Sequence, residues 1–215
     1  MGDGVRFVGA IHELPLQLQG TDGGQEGTCR RVVVLEDLKR RLYLFIPAIV
    51  AVLLHNAIHE SVHYLAARLW GEDVLEFRFL TNGWGTSQVI YATPVAERVG
   101  PQWLAIAWSP AVVTVLIGYA IYLNWRRWWS HRRWANLLLW YGGLVFLCLD
   151  PLYFGILSLV VGGTDVDAVA AVGWSPWPVR LVALAILAGN ARLMVRWWKE
   201  ARARSERGGQ PEAQL

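Results

Sequence analysis

The sequence predicts an all-α integral membrane protein with about four transmembrane helices and a small β-hairpin in the first extramembrane loop. Three observations carry this: long apolar runs, basic residues massed at alternate ends of those runs, and tryptophans at their edges. Hydrophobic residues make up 54% of the 215-residue chain, and 13 residues are tryptophan. Four runs approach or exceed the roughly 20 residues needed to cross about 30 Å of hydrocarbon. They lie at Leu42–Leu69, Trp103–Leu123, Ala135–Val161 and Val179–Val195. This divides the chain into an N-terminal extension (1–38), a membrane domain (39–200) and a polar tail (201–215).

The net charge of +3 invites a nucleic-acid reading, but its distribution excludes one. Arg30, Arg31, Lys39, Arg40 and Arg41 precede the first run, and Arg126, Arg127, Arg132 and Arg133 fill the second loop. Arg196, Lys199, Arg202, Arg204 and Arg207 follow the fourth run. An even number of spans puts these three basic segments on one side, so the positive-inside rule places both termini in the cytoplasm. A multi-pass protein of the plasma (inner) membrane is expected, with the lipid bilayer as its first partner. Trp70, Trp103, Trp174 and Trp177 would mark the outer interface. Trp125, Trp128, Trp129, Trp134, Trp197 and Trp198 would mark the inner one, since indoles settle at headgroup level.

Residues 1–38 lack the basic-then-apolar layout of a cleavable signal, so the first span is expected to act as an uncleaved anchor. "RFVGAIHELPLQLQG" alternates loosely enough for a short strand, and "GTDGGQEGTC" reads as flexible loop. Cys29 falls in the tail and Cys148 in the third span, so a disulfide between them is not expected. In the first loop, Val74, Glu76 and Arg78 alternate with Leu75, Phe77 and Phe79. The alternation breaks at "TNGWG" and resumes as "SQVIYAT". That is a hairpin pattern with its turn at Asn82-Gly83 and Gly85. A hairpin edge can accept an extended peptide as a further strand; a plain extramembrane loop is the alternative.

The chemistry lies in "LLHNAIHESVHYLAARLW". His59 and His63, four residues apart, share one helix face and can offer two imidazoles to one Zn²⁺. Glu60 between them is placed to act on water as a general base. A catalytic zinc takes a third protein ligand, and depth selects Asp150. His59 lies about 26 Å along its helix from Leu42, and Asp150 about 22 Å from Ala135, at about 1.5 Å per residue. Pro151 beside it frees backbone groups. Asp165 and Asp167 fall beyond the span, in outer water. His55, one turn before His59, is a lining residue. Asn56 and Trp84 are the expected substrate contacts. A structural polar cluster and an ion pathway also use buried His, Glu and Asp.

These residues resemble the site-2 protease family of intramembrane zinc metalloproteases over about residues 42 to 161. "HESVHYLAARLWG" is similar to its first-span motif and "DVLEFRFLTNGWGTS" to the strand region that follows. "LAIAWSPAVVTVLIG" resembles the A-G-P-like start of its second core span, and "LDPLYFG" takes the place of its L-D-G segment. The resemblance implies a three-helix metalloprotease core, with His59, His63 and Asp150 as zinc ligands and Glu60 as catalytic base. It further implies hydrolysis of membrane-embedded or membrane-proximal peptide substrates. Pro151 stands for the family's glycine, Trp108-Ser109 for its Ala-Gly, and "YGGLVFLC" where N-x-x-P is usual. No accessory substrate-binding domain fits the first loop. A non-catalytic, metal-holding relative remains the alternative.

Overall fold

In a computed structural model of the protein, residues 26–81, 86–130, 132–161 and 164–208 are described. They fall in two units, residues 1–41 and 42–215. In the first, residues 26–41 are helical. The expected flexible stretch reached Cys29, but helix begins at Glu26, because extending a helix costs far less than nucleating one. The possible strand before it lies outside the described residues.

The elements run α1 (Glu26–Leu69), β1 (Val74–Thr81), β2 (Thr86–Tyr91), α2 (Pro101–Trp128) and α3 (Arg133–Leu152). A π-helical turn (Tyr153–Leu157), α4 (Ser158–Val161), α5 (Thr164–Asp167), a 3₁₀ turn (Ala168–Val172) and α6 (Trp177–Gly208) follow. Among the described residues, four segments are long and apolar enough to cross a membrane: Phe45–Leu69, Pro101–Trp128, Arg133–Val160 and Trp177–Arg204. Each overlaps one expected run. The helix at the last of them continues to Gly208, into the expected polar tail, and residues 209–215 lie outside the described set.

The third segment is the innermost. Its most apolar stretch is 44% buried, against 22% or less in the others. It packs between α2 and α6 around Trp125, Leu147, Met194, Trp197 and Ala201. Trp125 and Trp197 are therefore core residues and not interfacial anchors. Gly143 makes room for the Trp197 ring, since any side chain there would collide with it. Trp103 is likewise buried, packed with Ala66, Ala67 and Ile106 under the Arg98 guanidinium. Trp70, Trp128, Trp134, Trp174, Trp177 and Trp198 remain exposed.

Pro151 explains how α6 is tied to α3. Its missing N–H leaves the Leu147 carbonyl, one turn earlier, without its helical donor. Asn190 Nδ2 donates to that carbonyl at 2.6 Å, while Asn190 Oδ1 accepts from the Tyr119 hydroxyl at 2.8 Å. One buried amide thus links α2, α3 and α6. Asn190→Leu should cost about 1–2 kcal/mol, typical of a hydrogen bond between membrane helices or in a protein core. Pro151→Ala restores the helical donor, so in a double-mutant cycle it should shrink the Asn190→Leu cost. Strictly additive costs would show that the carbonyl is not what the two positions share.

β1 and β2 form the expected antiparallel hairpin, with Phe77 opposite Val89 and Arg78 opposite Gln88. Its base is latched by Glu72, whose carboxylate accepts from the Thr93 backbone at 2.9 Å and hydroxyl at 3.0 Å. The proposed turn, with Asn82, Gly83, Trp84 and Gly85, lies outside the described residues.

Candidate metal centre

Helical spacing stacks His55, His59 and His63 on one face of α1, with neighbouring ring centroids 5.8 and 5.0 Å apart. What faces them decides which nitrogen each presents. Pro110 in α2 lacks the N–H that would bond the Ile106 carbonyl. His63 Nδ1 lies 3.0 Å from that carbonyl oxygen. A carbonyl only accepts, so Nδ1 is the donor in this contact, which leaves Nε2 as the nitrogen facing the site. Ser109 Oγ donates to the same oxygen at 3.3 Å.

His59 is placed between two carboxylates. Its Nδ1 lies 3.3 Å from Asp150 Oδ1, too poorly aligned for a hydrogen bond, and its Nε2 lies 3.9 Å from Asp165 Oδ2. His63 Nε2 points to the same Asp165 oxygen, at 3.7 Å. Asp150, 4% exposed, has its other oxygen engaged: Oδ2 accepts from His55 Nε2 at 3.1 Å and from the Thr114 hydroxyl.

Asp165 arrives by a fold-back of the chain. After α4 the short helix α5 returns to the bundle. There Val166 and Val169 are fully buried, and Trp108 Nε1 donates to the Asp165 carbonyl at 3.0 Å. Burial alone would push the Asp165 carboxyl up, but His59 and His63 opposite outweigh it and hold it at about 2. Asp165 therefore does not sit in outer water as expected; apolar contacts at Val166 and Val169 pull its segment inward. Asp167 is exposed.

Among the described residues, two groups of three donors are close enough to hold a metal: His55, His59 and Asp150, and His59, His63 and Asp165. His59 belongs to both. Imidazole and carboxylate suit zinc and several other divalent ions. The buried Nδ1 atoms of His55 and His59 have no hydrogen-bond partner, so the cluster is not a saturated polar network.

The structure brings His59 and Asp150 together, as their matched depth implied. It turns His63 instead to Asp165, so the expected set of His59, His63 and Asp150 is not one of the two groups. Glu60 is half-buried and within electrostatic reach of His63, His59 and Asp165. Asn56 is half-buried on the same helix, and Trp84 lies outside the described residues. His55 does more than line the site, since it donates to Asp150. Sequence reasoning missed Asp165, although valines at positions 166 and 169 in a supposedly aqueous segment were a usable signal. Compared with family models, characterised proteins and solved structures, the chain finds no match.

Proposed function

We propose that this chain is a multi-pass membrane zinc peptidase with the metal site inside the helical bundle and both termini on the cytoplasmic side. One observation carries it. Two histidines flanking a glutamate each present Nε2 toward a carboxylate, while their Nδ1 atoms face oxygen atoms of α2 and α3. At His63 this contact is a hydrogen bond, of the kind that fixes tautomer and orientation at metal-binding histidines. His59 and His63 would hold the ion, together with a carboxylate from the pair that faces them.

Bound zinc supplies Lewis acidity to a scissile carbonyl and to water. The chain's own residues do the rest. Glu60 takes a proton from the attacking water on its carboxylate and returns it to the leaving amine nitrogen. Asn56, one turn earlier, would contact substrate backbone. The hairpin of β1 and β2 offers strand edges to an extended peptide, and extension matters because a helical substrate hides its carbonyls.

Glu60→Gln separates catalysis from binding. It should retain zinc at the wild-type ratio and lose peptidase activity by at least about 10²-fold, the low end for a general base. The comparison uses full-length protein in detergent with a membrane-peptide library, read by mass spectrometry. Zinc bound by the wild type without Glu60-dependent cleavage would point to a non-catalytic metal protein.

A further inference from the structure

Two carboxylates approach His59, and only one can complete a site shared with His63. We infer that Asp165 is the third zinc ligand and that Asp150 is a positioning residue behind His59. This rests on the zinc reading above and reassigns its third ligand.

Distances separate the two acids. Two ligands about 2.0–2.1 Å from a tetrahedral zinc lie about 3.3 Å from each other. Asp165 Oδ2 is 3.9 Å from His59 Nε2 and 3.7 Å from His63 Nε2. These gaps are too long for hydrogen bonds and close to a coordination edge. The same oxygen faces both histidines, and on both it faces Nε2.

Asp150 meets a different set of atoms. Its Oδ2 is already bonded by His55 and Thr114, and its Oδ1 lies against Nδ1 of His59. Nδ1 and Nε2 point away from each other across the ring, so an acid on Nδ1 supports the ligand without sharing its ion. Asp150 Oδ1 stands on the side of the ring that the acid takes in a carboxylate–histidine–metal relay, 3.3 Å from Nδ1 and not aligned for a hydrogen bond in this structure. The Ile106 carbonyl takes the same side of His63 and is hydrogen-bonded there. Both histidines therefore turn Nδ1 toward an oxygen, hydrogen-bonded at His63 and only approached at His59, and Nε2 toward Asp165. The segment that brings Asp165 is held by Trp108 and by the buried valines Val166 and Val169, so the carboxylate is delivered by packed structure.

The test is metal binding by the full-length protein in detergent, using chelator-buffered Zn²⁺ dialysis and the visible spectrum of the Co²⁺-loaded form. Wild type should bind one zinc. Asp165→Ala should lose it, and Asp165→His, which keeps a donor there, should hold metal with a shifted Co²⁺ spectrum. Asp150→Asn should still fill with one zinc, at an affinity weakened about 10–100-fold, and keep the wild-type spectrum. If Asp165→Ala fails to fold, the Asp165→His spectrum decides; an unshifted spectrum there overturns the assignment. So does zinc retained by Asp165→Ala, or a Co²⁺ spectrum changed by Asp150→Asn. In those cases wild-type zinc would stand, with Asp150 as its ligand. A wild type that binds no zinc removes the zinc reading itself.

Discussion

His59→Ala should abolish zinc binding and make thermal stability independent of zinc concentration. His59 is the side chain common to both donor groups found among the described residues, so its loss leaves neither group with three donors. A ligand present at about 100 times its Kd stabilises the folded state by about 2.7 kcal/mol, and His59→Ala should forfeit that entire increment. Melting curves in detergent, recorded with zinc and with excess chelator, check this. Wild type should shift between the two conditions and the variant should not. A variant that still shifts with zinc would place the binding site elsewhere in the chain.

Gly118→Ala should destabilise the bundle by about 1–3 kcal/mol, the range for forcing extra volume into a packed core. A Cβ at this position would lie 2.8 Å from the Leu147 backbone nitrogen and 2.9 Å from the Phe146 carbonyl carbon. Backbone atoms cannot swing aside as a side-chain tip can, so α2 and α3 would have to separate. Small residues let membrane helices approach this closely. The effect should reach the metal centre, because α3 carries Asp150 three residues after Leu147 and α2 carries Thr114 one turn before Gly118. Zinc affinity should therefore fall with stability. Gly189→Ala is the control, since nothing lies within 4 Å of the added methyl on α6. Equal losses at both glycines would mean that helix contact is not what Gly118 provides.

The parts of this architecture written in local pattern were legible in the sequence. Apolar runs marked the four long helices, and alternation with a glycine-containing break marked the hairpin. Four-residue spacing put His59 and His63 on one face, and counting along two helices matched His59 with Asp150. What escaped depends on how separate segments meet. Asp165 is near His59 only because the chain doubles back after α4, and no periodicity encodes that return. The prolines were visible, but not the donors that answer them: Asn190 at the Leu147 carbonyl and His63 at the Ile106 carbonyl. Trp125 and Trp197 read as interfacial because they stand beside arginines. Trp197 is buried in the space that Gly143 leaves in α3, and Trp125 packs against Trp197, which composition does not reveal.

The claim that two histidines and a carboxylate hold a zinc ion is tested most directly by the zinc X-ray absorption spectrum of the purified full-length protein. The account predicts a four-coordinate shell of nitrogen and oxygen at about 2.0–2.1 Å, with multiple scattering from two imidazoles. A protein without zinc, or a shell with fewer than two imidazoles, would contradict it.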